Sequence, residues 1–182
     1  MKKIKILRIL NRFNLGGPIY NATYLTKYID PSKYETLLIG GVWENHEKSG
    51  TYILDNENIN YHIVNTMRRK VSIFYDIISL IKIIKIINSF KPDIIHTHAA
   101  KAGLLGRVAS IISFHKSFLV HTYHGNVFEG YFKMFINKFI IIIERILAKK
   151  TDRIISISKN QKQDLFKKYK ICSEHKINIV PL

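Results

Sequence analysis

Two histidine clusters, His96-Thr97-His98 and His121-Thr122-Tyr123-His124, each close a run of β-branched residues. Imidazoles near their ordinary pKa of about 6.5 serve as proton carriers, hydrogen-bond partners or metal ligands. Four of them together invite a metal. No acidic residue stands at ligand spacing, however, and no His-Glu-x-x-His pattern occurs, so a metal-free site is expected. Uncharged imidazoles that hydrogen-bond hydroxyls or a phosphate fit better. His96 and His121, at strand ends, are expected to pack or bond within the protein, which leaves His98 and His124 for a ligand.

Gly16-Gly17-Pro18 is the second candidate. Adjacent glycines before a helix allow close backbone approach, and the following amides offer an anion site for a diphosphate or sugar hydroxyl. A tight turn into the helix would use the same residues. The pair is neither Gly-x-Gly-x-x-Gly nor a Walker loop, which counts against a dehydrogenase or a kinase. Lys101, in the first turn of a later helix, is a candidate for a phosphate or acceptor contact. Arg107 on that helix is expected at the surface, while Gly103 and Gly106 leave one face bare for close packing. Glu129 lies near His124 in sequence and could reach the cleft. Glu144, about four turns further on, is expected to pair with a lysine or cap a strand. No carboxylates stand at a spacing that supports a hydrolase.

These residues need a scaffold, and the pattern supplies one. Seven apolar runs, at 4–10, 35–40, 60–64, 94–96, 118–122, 153–156 and 177–180, alternate with helical patterns at 18–28, 71–90, 132–150 and 159–170. That alternation predicts an α/β fold: a single Rossmann-like domain over 1–182, with a mainly parallel sheet of about seven strands flanked by helices. The glycine pair and both histidine clusters then fall at carboxyl ends of strands, where such sheets bind ligands. In 71–90 the polar residues Ser72, Asp76, Ser79, Lys82 and Lys85 recur at helical spacing, so a buried helix with one wet stripe is expected.

The chain has 182 residues, 47% of them hydrophobic, with 29 Lys and Arg against 13 Asp and Glu for a net charge of +16. The core is ample for one domain. The single cysteine, Cys172, rules out an intrachain disulfide and fits a cytoplasmic setting. Lys5 and Arg8 interrupt the first apolar stretch, so a strand is expected there and not a signal peptide. Charges within the other apolar stretches argue against a transmembrane helix. The basicity favours polyanions, phosphorylated ligands or an anionic membrane without choosing among them. Nucleic acid is disfavoured, because no recognition-helix motif or aromatic stacking platform is present. The basic helix at 132–150 either touches an anionic membrane or packs in the core with lysine edges. A final strand with no helix after it hints at something missing.

The segments Arg8-Ile-Leu-Asn-Arg-Phe-Asn-Leu-Gly-Gly-Pro18, Tyr34-Glu-Thr-Leu-Leu-Ile-Gly-Gly41, Pro92-Asp-Ile-Ile-His-Thr-His98, Lys101-Ala-Gly-Leu-Leu-Gly-Arg107, His121-Thr-Tyr-His-Gly125, Phe128-Glu-Gly-Tyr-Phe132, Glu144-Arg-Ile-Leu-Ala148 and Thr151-Asp-Arg-Ile-Ile-Ser-Ile-Ser158 together resemble the N-terminal domain of family-four glycosyltransferases with the GT-B fold. The resemblance runs over essentially the whole chain. It implies a retaining transfer of a sugar from a nucleotide-sugar donor, UDP-linked by expectation, to a glycan or lipid-linked acceptor in cell-surface polysaccharide synthesis, with no metal or other cofactor. It also implies that Gly16 and Gly17 face the donor diphosphate and acceptor, and that His124 is catalytic, touching the donor sugar near the reacting carbon. His98 and Lys101 fall in the acceptor region. In the family a sequence like Ile177-Asn-Ile-Val-Pro-Leu182 leads into a second Rossmann-like domain holding most of the nucleotide-sugar site. That C-terminal domain is absent here, so little or no turnover is expected of the isolated chain. The alternative is a non-catalytic acceptor-binding subunit that pairs with a separate donor-binding chain.

Overall fold

The computed structural model describes residues 2–125 and 134–181, the side chains of 134–136 excepted. Strands β1 (Ile4–Ile9), β2 (Tyr34–Gly40), β3 (Tyr61–Ile63), β4 (Ile94–His98), β5 (Phe118–Tyr123), β6 (Arg153–Ser156) and β7 (Ile177–Ile179) form a wholly parallel sheet in the order β3-β2-β1-β4-β5-β6-β7. All seven arise where the apolar runs predict them. The helices are α1 (Gly17–Lys27), α2 (Thr51–Asn56), α3 (Ile73–Phe90), α4 (Ala100–Ile112), α5 (Met134–Lys150) and α6 (Lys159–Gln163), the last running on into a π-helical turn over Asp164–Lys168. α2 was not legible in the sequence: it is one and a half turns long and buries only Ile53 and Leu54, too little to show a period.

Alternation along the strands sorts side chains onto two faces. Leu7, Ile9, Ile39, Ile95 and Leu119 meet Ile83 and Ile87 of α3 and Ala102, Leu105 and Ala109 of α4. Leu10 and Leu38 pack on the other face with Ile19 and Ala22 of α1 and Ile53 and Leu54 of α2. A third cluster joins Tyr123 and Ile154 to Ala148 of α5 and Leu165 beyond α6. The neighbours of β1 are β2 and β4, so successive connections depart to opposite faces there. That reversal opens a crevice at the carboxyl edge, between the loops after β1 and β4.

The bare face of α4 is filled by the sheet. A Cβ on Gly103 would lie 2.4 Å from His121 Cε1, and one on Gly106 would lie 2.6 Å from Thr97 Cγ2. Three expectations need correcting. Arg107 is not a surface charge: it is fully buried, donates to both carboxylate oxygens of Glu144 at 2.7 Å, and bonds the Gly103 carbonyl through Nε. Glu144 accordingly pairs with this arginine and accepts from Tyr123 Oη at 2.6 Å, so it neither pairs with a lysine nor caps a strand. A buried guanidinium requires such a partner, and the pair fastens α4, α5 and β5 together. The polar residues of α3 are not a simple wet stripe either. Ser79 is buried, donating to Tyr75 O and hydrogen-bonded to the Thr66 hydroxyl, while Ile73, Phe74, Ile77 and Ile81 face solvent.

Candidate functional site

The loop carrying Gly16 and Gly17 is braced from the side by 44–50. Leu15 N donates to Lys48 O, Gly50 N donates to Phe13 O, and Asn14 bridges Ser49. Arg12 grips both carboxylate oxygens of Glu47, at 2.7 and 2.5 Å, and holds that carboxyl down at about 2. The tight-turn explanation for the glycines does not hold, because Gly16 is in extended backbone that any residue adopts. Among the described residues no side chain crowds them either: a Cβ on Gly17 would meet nothing within 4 Å. Their smallness leaves open space in front of the N-terminus of α1.

On β4, His96 and His98 do share a face, with ring centroids 4.1 Å apart. Arg8 donates from Nη1 to His96 Nδ1 at 3.0 Å, and an arginine has no acceptor to offer. His96 therefore carries its proton on Nε2 and donates to Thr122 Oγ1 at 2.7 Å. His98 Nδ1 lies 2.9 Å from His124 Nε2, leaving His98 Nε2 and His124 Nδ1 without a partner among the described residues. His121 is turned to the opposite face, where its Nδ1 meets Thr97 Oγ1 at 2.8 Å. His96 and His121 thus bond within the protein, as expected. Burial pushes the His96 imidazole down to about 3, with repulsion from Arg8 adding to it, and pushes His124 down to about 4. His98 and His121 also fall well below the usual range because they are wholly buried. All four are neutral near pH 7.

The peptide between this cluster and α4 is strained. Ala99 has φ 63° and ψ 172°, a region populated essentially by glycine, which costs of order 1–3 kcal/mol. Its amide donates to Thr122 O and its carbonyl accepts from Gly103 N, so neighbours on both sides hold it. The strain aims the end of β4 at the crevice. Beyond β5, Gln161 of α6 accepts from Ile157 N and donates to Gly125 O at 3.1 Å, pinning the turn that carries His124. Lys101 has a different duty from the one its position suggested. Its ammonium donates to Arg68 O at 2.8 Å and Lys70 O at 2.7 Å and forms an ion pair with Asp76 Oδ1 at 2.7 Å. It straps the loop before α3 to α4. Glu129 lies outside the described residues.

Three residues that sequence reasoning passed over matter here: Arg8, Ala99 and Gln161. Arg8 is buried without a carboxylate partner among the described residues, bonding Thr26 Oγ1 and Leu25 O besides His96, and burial lowers its pKa to about 10. A second charge in β1, following Lys5 and placed in the buried C-terminal half of the strand, was the one available signal. Arg8 lines a groove of about 710 Å³ that follows α1 from Gly17 past Tyr20 and Tyr24 to Tyr28. A second cavity, about 810 Å³, lies between Trp43 and His46 on one side and Arg68 and Tyr75 on the other. Glu44, His46 and Glu47 bring possible metal ligands within 4.8 Å of one another. Arg12 already occupies both oxygens of Glu47, and a cation there would have to displace it.

A doubly wound parallel domain, with an open glycine loop at the carboxyl end of β1 and neutral imidazoles across the crevice, has the fold of an N-terminal Rossmann-like domain of the GT-B class. Within that class the chain belongs to Glycosyltransferase Family 4, whose profile it matches over residues 23–182. It is 31% identical over 126 residues to the UDP-Gal:alpha-D-GlcNAc-diphosphoundecaprenol alpha-1,3-galactosyltransferase of Escherichia coli, an alignment covering 69% of this chain and 32% of that protein. The fold matches a glycosyltransferase from Rickettsia africae ESF-5 at a TM-score of 0.71 and 22% identity, covering 100% of this chain and 43% of that one. It also matches a UDP-GlcNAc 2-epimerase from Methanocaldococcus jannaschii at a TM-score of 0.62 and 14% identity, covering 98% and 45%. Shared architecture alone therefore does not choose between transfer and epimerisation. The chain spans about a third of the length of the curated relatives it matches.

Proposed function

We propose that this chain forms the acceptor-side half of a retaining glycosyltransferase. Its donor is a UDP-linked sugar, and its acceptor is a lipid-linked or glycan hydroxyl in bacterial cell-surface polysaccharide synthesis. A second, nucleotide-binding domain completes the site, supplied by a continuation of the chain or by a partner. The observation that carries the reading is the glycine loop at Gly16 and Gly17, unobstructed and backed by the first turn of α1, with the His98–His124 pair at the same sheet edge. The diphosphoundecaprenol-linked acceptor in the name of the Escherichia coli relative supports the acceptor class.

In this mechanism the acceptor oxygen attacks the anomeric carbon on the face from which the nucleoside diphosphate departs. The bond from that carbon to the phosphate oxygen breaks with its electron pair on the phosphate, which takes the acceptor proton. Such a step needs fixed dipoles more than a protein base. The free amides at the start of α1 suit the diphosphate charge that grows as the bond breaks. His124, held neutral by burial, offers a hydrogen bond to a donor-sugar hydroxyl without placing a second positive charge beside an oxocarbenium-like carbon. The groove along α1 gives the acceptor room.

The test is transfer from UDP-sugars to a lipid-diphosphate-linked sugar, by this chain alone and joined to a nucleotide-binding domain, with the anomeric configuration of the product determined. The joined form is expected to transfer with retention, and His124→Ala to lower kcat/KM roughly a hundredfold with Tm little changed. Full-rate transfer by the 182-residue chain alone would defeat the half-site reading. An inverted product would defeat the mechanism.

A further inference from the structure

We propose that His98 is a positioning residue: it holds the proton of His124 on Nδ1, so that His124 meets the donor sugar as a hydrogen-bond donor. The second half of this rests on the reading that His124 touches that sugar. His98 itself does not reach a ligand. Its ring is 0% exposed, with His96 at a centroid distance of 4.1 Å and His124 at 5.2 Å, and its side chain has one polar partner among the described residues, His124 Nε2 at 2.9 Å from Nδ1. The next residue, Ala99, is tied through its amide to Thr122 O and through its carbonyl to Gly103 N, so the end of β4 that carries the ring is fixed from both sides. An enclosed ring acts on a ligand only through a neighbour. His124, at the crevice and half-buried, is that neighbour.

Two neutral imidazoles share a single proton across their contact, which leaves two arrangements. In the first, His98 donates from Nδ1, His124 Nε2 accepts, and the proton of His124 itself must sit on Nδ1. In the second, His124 donates from Nε2, its Nδ1 is bare, and the proton of His98 sits on Nε2. Both outer nitrogens, His98 Nε2 and His124 Nδ1, lack a partner among the described residues, so each arrangement leaves one N–H and one lone pair unmatched. An unmatched buried N–H is the rarer and costlier defect. It therefore belongs on the ring that can meet water or a ligand oxygen, which is His124, and the lone pair belongs inside, on His98. His96 shows the opposite tautomer, because Arg8 donates to its Nδ1 and drives its proton to Nε2. A donor at His124 Nδ1 selects an oxygen lone pair, as on a sugar hydroxyl. A protonated sugar amine would find no acceptor there unless the shared proton crossed over and stranded an N–H inside His98.

The tautomers are read from the nitrogen shifts of isotope-labelled histidines in this chain, near neutral pH and without any donor or acceptor. His98 and His124 are expected to be protonated on Nδ1 and bare on Nε2, and His96 the reverse. The spectrum of the unaltered chain decides by itself: a proton on His124 Nε2 overturns the proposal. His98→Ala should leave His124 in a mixture of both forms, whereas His98→Asn, whose amide keeps a donor where Nδ1 stood, should keep the proton on Nδ1. A His124 spectrum that His98→Ala leaves unchanged also overturns it. In the form joined to a nucleotide-binding domain, His98→Ala should lower kcat about tenfold and His98→Asn should recover most of the loss. Transfer that survives His98→Ala and His124→Ala alike would instead overturn the placing of His124 at the donor sugar, on which the spectra do not depend.

Discussion

Acid should unfold this protein through its buried imidazoles, and the size of the effect follows from their burial. His96, His98 and His121 are neutral in the folded state, with pKa values depressed first of all by desolvation. In the unfolded chain each returns to about 6.5. Below that pH the unfolded state takes up protons that the folded state refuses, so stability is fully present above about pH 6.5 and falls as pH drops toward the folded values, about 3 for His96. Such an imidazole removes about 1.4 kcal/mol per pH unit between its unfolded and folded values. For His96 alone the loss by about pH 5 is about 2 kcal/mol, a substantial part of the stability of an ordinary domain, roughly 5–15 kcal/mol, and His98 and His121 add to it in the same direction. Urea unfolding, followed by the fluorescence of Trp43, the sole tryptophan, measures it as the pH is stepped down from about 7.5 to 5. His121→Gln, which cannot titrate, should flatten the slope. Stability that stays level across this window would refute the assignment of neutral, buried imidazoles.

Ala99→Gly should raise unfolding stability by about 1 kcal/mol, measured as a denaturant midpoint, because relief of positive-φ strain outweighs the usual cost of glycine; a loss would mean that Ala99 is unstrained. Arg107→Met should cost about 3–5 kcal/mol by stranding the Glu144 carboxylate, and adding Glu144→Met should recover part of it, whereas a double variant as unstable as the summed single ones would show the two charges to be uncoupled. Gly103→Ala should destabilise by about 1–3 kcal/mol through its clash with His121, while Gly17→Ala should leave Tm unchanged yet reduce transfer at least about tenfold; the reverse pattern would make Gly17 structural and Gly103 not.

The periodicities of the chain were enough to determine its seven strands, their parallel sense and the edge at which the glycine loop and the histidines gather. Each of those properties is local: β-branched runs separated by helical spacing leave little choice of architecture, and strand ends carry their loops with them. Order and spacing of motifs also reached the family, which the match over residues 23–182 bears out. What the tertiary structure alone decided are the pairings between residues far apart in sequence. Arg107 reads as a surface charge until α5 brings Glu144 against it, and Lys101 reads as a phosphate ligand until the loop before α3 brings Arg68 and Lys70, and the first turn of α3 brings Asp76, to its ammonium. Arg8 and Thr122 fix the tautomer of His96 only because β1, β4 and β5 lie side by side. The strain at Ala99 has no sequence signature at all, since alanine carries no preference for positive φ and is held there by its neighbours. Composition names which side chains are charged or apolar; only the assembled fold decides which have found partners, and so which remain to meet a ligand.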